Sequence, residues 1–257
     1  MKTEAVDEPH TNSKVALERR LISEAGATGF SHQDQQIAFY SQVAALIHPE
    51  DTLLDFGAGR GEWCYEDPVR YRRNLQIFKG RVAFVDGCDV DPAVKSNPSL
   101  DRAELFEPGG RLPYEDGRFD AVVSRYVFEH LPDPEWTARE LARVTKPGGW
   151  VFVITPNKWG YVALVSRLVP NRLHSKLLKA IQPHRKEEDV FPTHYRVNTP
   201  AAFKRHFGQD FDVFYYRTSG VPSYHFGNAF MFRMWQLAHR LMPPQLATGL
   251  FVLMRRK

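Results

Sequence analysis

Residues 52–62 read TLLDFGAGRGE, and this stretch decides how the chain folds. Thr52, Leu53 and Leu54 begin a short apolar segment that runs into an acid and then into alternating glycines. This order is typical of a buried parallel strand that passes through a tight turn into a helix. Such a turn lets the backbone approach a ligand closely, and the helix that follows points its free N–H groups toward that ligand.

The spacing of the glycines narrows the choice of ligand. A dinucleotide site follows the pattern G-x-G-x-x-G, which puts its third glycine at position 62, where this chain has Glu62. The spacing here is D-x-G-x-G-x-G, and it begins at Asp55. An acid at the strand end suits a ligand with a cationic amino group and no phosphate, such as S-adenosylmethionine (SAM). A tight turn without any ligand is the alternative that this stretch alone leaves open.

Length and composition limit the class of protein. A chain of 257 residues with 43% apolar residues can bury one substantial core and form a single domain with an insertion. Its net charge of +4 is mildly basic and its basic residues are scattered, so nucleic acid is not an expected partner. The two cysteines form no disulfide or zinc-binding pattern. No signal-peptide core or bilayer-spanning run is recognisable, so a cytoplasmic location is expected.

A second acid follows the second predicted strand. Residues 81–90 contain an apolar segment that ends in Gly87, Cys88 and Asp89. A carboxylate at the end of this strand can accept hydrogen bonds from both hydroxyls of a ribose. We predict this role for Asp89. Asp91 is the neighbouring alternative, and an acid in a surface turn without a ligand is the other.

Strands and helices then alternate along the chain. Further strands are predicted at 105–106, 119–124, 150–155, 212–216 and 249–254. A helix is predicted to begin at Asp133, with Pro134 in its first turn. Two more helices are predicted over 33–47 and 230–242, where apolar residues recur at helical spacing. Alternation of this kind indicates an α/β fold, in which helices cover both faces of a parallel sheet.

Residues 156–198 interrupt this alternation after the fifth strand. They contain two apolar helical stripes and then a polar, aromatic loop with His194 and Arg196. The insertion leaves the carboxyl edge of the sheet, where ligands bind in such folds, so we expect a lid that selects the second substrate. The chain thus divides into an N-terminal helical segment (1–50), a cofactor-binding core (51–155), the lid (156–198) and the last part of the sheet (199–257).

Five ordered blocks within residues 50–157 resemble a known family. The first block is the stretch 54–61. The other four are Gly87-Cys88-Asp89-Val90-Asp91, Leu112-Pro113-Tyr114 with Phe119-Asp120, Phe128-Glu129-His130-Leu131, and Arg143-Val144 with Lys146-Pro147-Gly148-Gly149. Their order and spacing are similar to those of class I SAM-dependent methyltransferases of the UbiE-like, methyltransferase-11 type. The resemblance implies a Rossmann-like, mostly parallel seven-stranded sheet in the order 3-2-1-4-5-7-6, with the last strand antiparallel.

The resemblance also implies SAM as the methyl donor and S-adenosylhomocysteine as the product. The three glycines of the turn would pack against the methionine and ribose parts of SAM, while Asp55 would hold the amino group and Asp89 the ribose. Glu107 would contact the adenine, with Asp101 as the competing acid, because the family's usual Asp before the Leu-Pro block is missing here. The predicted cofactor contacts are Asp55, Gly57, Ala58, Gly59, Gly61, Asp89, Val90, Glu107, Ser124 and Arg125.

Methyl transfer requires the acceptor, the methyl group and the sulfur to lie in line, with water excluded. A hydroxyl acceptor also requires a base, because its own pKa lies far above neutrality. His130 and His194 are the two candidate bases, and each also has a purely structural interpretation. The residues predicted to bind the acceptor are Tyr126, Asn157, Asp189, Tyr195 and Arg196. The spacing of Asp133, Asp189 and His194 demands no metal ion, so none is predicted.

Three classes of function are compatible with these patterns. The favoured one is O-methylation of a small molecule or a glycan. The second is C-methylation of a quinone-like lipid, in which helices within 161–181 would make peripheral contact with a membrane without inserting into it. The third is a protein that binds SAM without catalysis, which the intact glycine turn with Asp55 and Asp89 argues against. The oligomeric state is left open.

Overall fold

The computed structural model describes residues 13–161, 163–164, 192–222, 225 and 227–257. Its strands are β1 (Thr52–Phe56), β2 (Phe84–Asp89), β3 (Arg102–Leu105), β4 (Phe119–Arg125), β5 (Thr145–Pro156), β6 (Phe211–Thr218) and β7 (Gly249–Arg256). They form one seven-stranded sheet in the order β3-β2-β1-β4-β5-β7-β6. The first five strands of this order pair in parallel, and β7 runs antiparallel between β5 and β6. The predicted fold class and strand order are confirmed.

Helices cover both faces of this sheet. In the described part of the chain the α-helices are α1 (Ser13–Leu21), α2 (Ser23–Thr28), α3 (Gln35–Ala44), α4 (Trp63–Glu66), α5 (Arg70–Gln76), α6 (Pro134–Val144), α7 (Pro200–Phe207) and α8 (Ala229–Leu241). Leu53 and Leu54 are neighbours in β1 and therefore face opposite sides of the sheet. Leu53 packs in a cluster with Phe39 of α3, and Leu54 in a cluster with Leu141 of α6 and Phe203 of α7.

The bounds of β3 and β5 differ from the prediction for reasons that the structure shows. β3 spans Arg102–Leu105 rather than 105–106. In this edge strand polar residues alternate with apolar ones, so no apolar run marks its position in the sequence. Its Arg102 Nε donates to the buried Asp86 Oδ1 at 2.6 Å. β5 begins at Thr145, since Thr145 already pairs with Phe119 before an irregularity in the ladder.

The N-terminal part of the chain is more helical than predicted. Helices α1 and α2 were not predicted, and residues 1–12 lie outside the described range. Asp34 caps α3 by accepting from the amides of Gln36 and Ile37, so that helix begins at Gln35. Asp133 caps α6 in the same way, which confirms the predicted start of that helix.

The carboxyl ends of three parallel strands meet at one edge of the sheet. Asp55 of β1 is in register with Gly87 of β2 on one side and with Val123 of β4 on the other. The glycine turn after β1, Asp89 at the end of β2 and the segment that follows β4 therefore lie side by side. This edge holds the candidate site.

Candidate active site

The glycine turn bends back over the end of β2. The amides of Gly57 and Ala58 both donate to the carbonyl of Cys88, at 2.8 and 3.1 Å. Gly57 has a φ of +78°, and a Cβ there would lie 2.2 Å from Cγ2 of Val127. Gly59 has a φ of +54°, but a Cβ there would meet no described atom within 4 Å. The first glycine is thus required by packing within the protein, whereas the second leaves room for a ligand.

Asn97 supports this turn from behind, and no sequence pattern predicted this role. Its buried side chain donates through Nδ2 to the carbonyls of Ala58 and Gly59, at 3.0 and 3.1 Å. Its Oδ1 accepts from the amide and the hydroxyl of Ser99, at 3.0 and 2.6 Å. A Cβ at Gly61 would lie 2.3 Å from that same Oδ1. The third glycine therefore makes room for Asn97, and its contact with a cofactor stays a prediction.

Asp89 joins the turn to the end of β2. Its Oδ2 accepts from the amide of Gly59 at 2.8 Å, and its Oδ1 accepts from the amide of Asp91 at 3.0 Å. Each carboxylate oxygen has a second acceptor position, so the group can also receive hydroxyl donors. The side chain of Asp91 instead accepts from the amide of Ala93 at 2.8 Å and caps the following short helix. Of the two acids, Asp89 is the one positioned for a ligand.

Asp55 is an acid with a strongly shifted pKa. Burial raises the pKa of Asp55 to about 7, against the lowering effect of Arg125 and with a further rise caused by Asp89. The carboxyl group is therefore close to half protonated at neutral pH. A cationic group placed beside it would favour the ionised form, which is the behaviour expected of a partner for an amino group.

A cleft of about 390 Å³ opens at this edge, a volume in the range of small-ligand pockets. The predicted site residues that line it are Gly57, Gly59, Asp89, Val90, Arg125, Tyr126, His130 and His194. The lining residues that were not predicted are Phe56, Phe106, Pro108, Val127, Leu131, Pro132, Trp136 and Pro192. One cavity thus brings together predicted cofactor contacts and both candidate bases.

Stacked aromatic rings form an apolar wall of the cleft. The ring of Phe106 stacks on Phe56 at 5.5 Å and on Trp136 at 5.9 Å between ring centroids. The indole Nε1 of Trp136 donates to the carbonyl of Gly110 at 2.8 Å, which fixes the orientation of its ring. These rings come from three separate elements, so no sequence spacing could indicate that they meet.

His130 is held in one orientation at the cleft. Its Nδ1 lies 2.9 Å from the carbonyl oxygen of Pro192. A carbonyl can only accept, so Nδ1 carries the hydrogen, and in the neutral ring the lone pair is on Nε2. Nε2 lies 4.0 Å from Oε1 of Glu129, whose Oε2 accepts from the hydroxyl of Thr155 at 2.9 Å. The buried Glu129 thus places a carboxylate where an imidazolium at His130 would be stabilised.

Glu129 also fixes the second histidine. Its backbone carbonyl accepts from the amides of His194 and Tyr195, at 2.7 and 3.1 Å. Tyr195 has a φ of +50°, an uncommon conformation for a residue other than glycine. These bonds attach the segment 192–195 to the loop after β4, so that both histidines lie at the same cleft.

The end of β4 is hydrogen-bonded to helices α3 and α5. The Nη1 of Arg125 donates to Oε1 of Gln76 in α5 at 3.0 Å and to Oε1 of Gln36 in α3 at 3.3 Å. The guanidinium also lies over the ring of Trp63, 5.6 Å from its centroid. Tyr126 follows with a φ of +57° and lines the cleft. Arg125 and Tyr126 thus both line the cleft, and their contacts with cofactor and acceptor stay predictions.

Other predicted residues brace the protein. Ser124 is buried, and its hydroxyl donates to the carbonyl of Phe56 at 2.9 Å. Asn157 is also buried, and its Nδ2 donates to the carbonyls of Gln245 and Ala247 at 2.8 Å each. These bonds give Ser124 and Asn157 a structural explanation, and their contacts with ligands stay predictions.

The remaining predicted residues do not line the cleft or fall outside the described range. Glu107 and Arg196 are exposed, and Tyr195 is half-buried. Asp101, the alternative to Glu107, accepts from the amide of Val85 at 2.9 Å and so supports the β2–β3 connection. Asp189 falls outside the described residues. The roles predicted for these residues stay predictions.

A metal site does not emerge from the described ranges. Within them, no group of three or more His, Cys, Asp or Glu side chains lies together as a metal ion would require. The carboxylate of Asp133 is engaged as a helix cap, with Oδ1 accepting from the amides of Glu135 and Trp136 at 3.0 Å each.

Comparison with known proteins identifies the fold family. A family model described as a methyltransferase domain matches residues 30–210, which is more than half of the chain. The chain belongs to the methyltransferase-domain family. The domain is of the SAM-dependent class I type, which confirms the resemblance drawn from its motifs.

Curated relatives of this methyltransferase domain match part of it. The ubiquinone biosynthesis O-methyltransferase of Thiobacillus denitrificans is 36% identical over 118 residues, covering 41% of this chain and 44% of the relative. The ajmaline N-methyltransferase of Rauvolfia serpentina is 29% identical over 106 residues, covering 40% and 35%. The match thus spans less than two thirds of the length of either relative.

Solved structures share the fold of this methyltransferase domain. A SAM-dependent methyltransferase from Mesorhizobium loti superposes with a TM-score of 0.52 and 16% identity, covering 85% of this chain and 98% of that chain. A SAM-dependent methyltransferase from Thermotoga maritima gives a TM-score of 0.53 and 13% identity, covering 94% and 99%. Among the described residues, no helix is long and apolar enough to cross a membrane.

Proposed function

We propose that the protein transfers the methyl group of SAM to an oxygen atom of a small molecule or a glycan. The observation that carries this proposal is one shared cavity. The cleft that is lined by Gly59 and Asp89 of the proposed donor site is also lined by His130 and His194. A donor site and a candidate base at the same cleft are what a hydroxyl acceptor requires.

The residues around the glycine turn fit SAM in shape and in charge. Gly59 leaves open space at the position of its missing Cβ, and Asp89 offers acceptor positions for ribose hydroxyls. Asp55 would gain a partner for its ionised form if a cationic amino group bound beside it. When bound, SAM supplies a methyl group on a positively charged sulfur. The protein then has to position this group and exclude water, for which the aromatic wall is suited.

The proton of the acceptor hydroxyl is proposed to pass to His130. Its Nδ1 hydrogen bonds to the carbonyl of Pro192, so its Nε2 holds the lone pair that a base needs. The carboxylate of Glu129 would stabilise the positive charge that the ring acquires. His194, attached to the same glutamate through its backbone, is the alternative base.

The acceptor is proposed to bind at the rim formed by Tyr126 and the segment 192–196. Arg196 is exposed there, and a guanidinium matches the geometry of an acid or a phosphate. This segment ends the insertion 156–198, which we propose as the lid of a single-domain chain; residues 165–191 lie outside the described range.

Two alternatives remain for the chemistry. The relatives are named as O- and N-methyltransferases, which supports heteroatom acceptors over C-methylation of a quinone-like lipid. The second alternative is binding of SAM without catalysis.

We also propose a cytoplasmic reaction, because both cysteines, Cys64 and Cys88, are free thiols, as is usual in a reducing compartment.

Release of S-adenosylhomocysteine tests this proposal. The purified protein is incubated with SAM and with hydroxyl, amine or quinone acceptors. Turnover is expected with a hydroxyl acceptor, and His130→Gln should lower it at least tenfold, which corresponds to about 1.4 kcal/mol in the barrier, while SAM still binds. If no acceptor class gives turnover although SAM binds, the catalytic proposal is wrong. Wild-type rates in both His130→Gln and His194→Gln would exclude histidine as the base.

A further inference from the structure

Helix α8 exposes a continuous apolar stripe. Phe230, Met234, Leu237 and Leu241 follow one another at intervals of three and four residues, which places them on one face of the helix. Their exposed fractions are 77%, 47%, 58% and 74%. Scattered exposed apolar residues are ordinary, but a complete stripe along one helix face is typical of a docking surface.

The opposite face of α8 is anchored, so the stripe cannot turn inward. Phe232 is fully buried in a cluster with Leu17, Ile22 and Ala25 of the N-terminal helices. Trp235 stacks on the ring of Tyr161 at 4.8 Å between centroids. The helix is therefore held in place with its apolar stripe directed away from these anchoring contacts.

The part of the chain that contains this stripe carries charge of one sign. Residues 213–257 contain six Lys and Arg and no Asp or Glu, whereas residues 1–212 hold all 30 acidic residues and the other 28 of the 34 basic ones. Arg233 and Arg240 are exposed on α8 beside the stripe. The net charge of +4 thus conceals a positive C-terminal part and a slightly negative remainder.

A basic groove adjoins the stripe. It has a volume of about 750 Å³, and its lining includes Leu237 and Arg240 of α8 together with Arg217 of β6. None of its described lining residues is acidic. The described lining therefore offers positive and neutral side chains, which favours an anionic group in the groove.

We propose that the α8 stripe and its arginines dock the protein onto the surface of a membrane that contains anionic phospholipids. An apolar helix face flanked by arginines combines burial at the lipid boundary with attraction to negative headgroups. The basic groove receives a headgroup phosphate. This docking is peripheral and does not depend on the identity of the methyl acceptor.

Vesicle binding by the full chain tests the apolar part of the surface. The protein should co-sediment with vesicles of phosphatidylcholine and phosphatidylglycerol, and much less with phosphatidylcholine alone or at high salt. Phe230→Ser with Leu241→Ser should weaken binding at least about tenfold. Tyr65→Ser is the matched control, since Tyr65 is also 74% exposed but lies on α4. Equal binding to both vesicle types, or no effect of the stripe variant, would overturn the proposal.

A second pair of variants tests the arginines. Arg233→Gln with Arg240→Gln should weaken binding to the anionic vesicles about twenty-five-fold, at roughly fivefold for each arginine near the surface. Arg70→Gln with Arg139→Gln removes the same charge from exposed sites on α5 and α6 and should bind like wild type. Equal loss in both pairs would mean that only net charge matters, and the proposed docking face would be wrong.

Two further measurements test whether a second copy of the chain, or another part of the same chain, covers the stripe instead of a membrane. Sedimentation of the free protein should show the same mass for wild type and for the Phe230→Ser, Leu241→Ser variant. A dimer that this variant dissociates would assign the stripe to a second copy of the chain. The melting temperature should also be unchanged, because exposed residues are replaced. A clear drop would mean that the stripe is covered within the chain, and either result would overturn the proposal.

Discussion

Substituting alanine for Gly57 and for Gly59 separately distinguishes the packing role of the turn from its ligand role. Both residues have positive φ, so either alanine adds backbone strain of about 1–2 kcal/mol. At Gly57 the new Cβ would also lie 2.2 Å from Cγ2 and 3.0 Å from Cγ1 of Val127, which adds about 1–3 kcal/mol of overpacking. We expect Gly57→Ala to lower the free energy of unfolding by about 2–5 kcal/mol and Gly59→Ala by about 1–2 kcal/mol.

Urea unfolding measures these losses, and Val127→Ala provides the matched partner. Shortening Val127 removes both Cγ atoms, so in the double variant with Gly57→Ala the overpacking part of the loss should be recovered. Calorimetry should show the opposite ranking for the ligand: Gly59→Ala places a Cβ in the open cleft and should weaken SAM binding at least tenfold, about 1.4 kcal/mol. Equal stability losses for the two glycines, or no recovery in the double variant, would refute the reasoning.

Three other predictions address the donor and acceptor sites. Asp89→Ala should weaken SAM binding in calorimetry by about 1–3 kcal/mol, and Asp91→Ala should change it little; equal effects would exclude the ribose role. Because the raised pKa of Asp55 leaves its carboxyl largely protonated below about pH 7, SAM affinity should rise about fivefold from about pH 6 to about pH 7. Asp55→Asn should abolish this dependence, and a flat wild-type profile would contradict it. His194→Ala and Arg196→Ala should each lower turnover at least tenfold, which corresponds to about 1.4 kcal/mol in the activation barrier, and should retain the affinity for SAM. A loss of SAM binding as large as in Asp89→Ala would show that this segment belongs to the donor site.

Features that neighbouring residues determine could be predicted from the sequence. These are the turn at 57–61, the position of Asp89 at the end of a strand, and the alternation of strands and helices. Asp133 could be assigned as a helix cap for the same reason. The edge strand β3 was misplaced because it is held by the ion pair of Arg102 with the buried Asp86 rather than by an apolar run.

Contacts between distant elements could not be predicted. Asn97 supports the glycine turn although it follows Ala58 and Gly59 by 39 and 38 residues, and no pattern around Asn97 indicates this contact. The wall of Phe56, Phe106 and Trp136 likewise forms only when β1, the loop after β3 and α6 come together. The contact of the Ser124 hydroxyl with the carbonyl of Phe56 in the neighbouring strand β1 is of the same long-range kind.

Calorimetric titration of the wild-type protein with SAM, and in parallel with NAD, shows whether the cleft beside Gly59 and Asp89 binds a sulfonium methyl donor or a dinucleotide. We predict that SAM binds at one site per chain and that NAD gives no binding heat. Binding of NAD without binding of SAM would contradict the account.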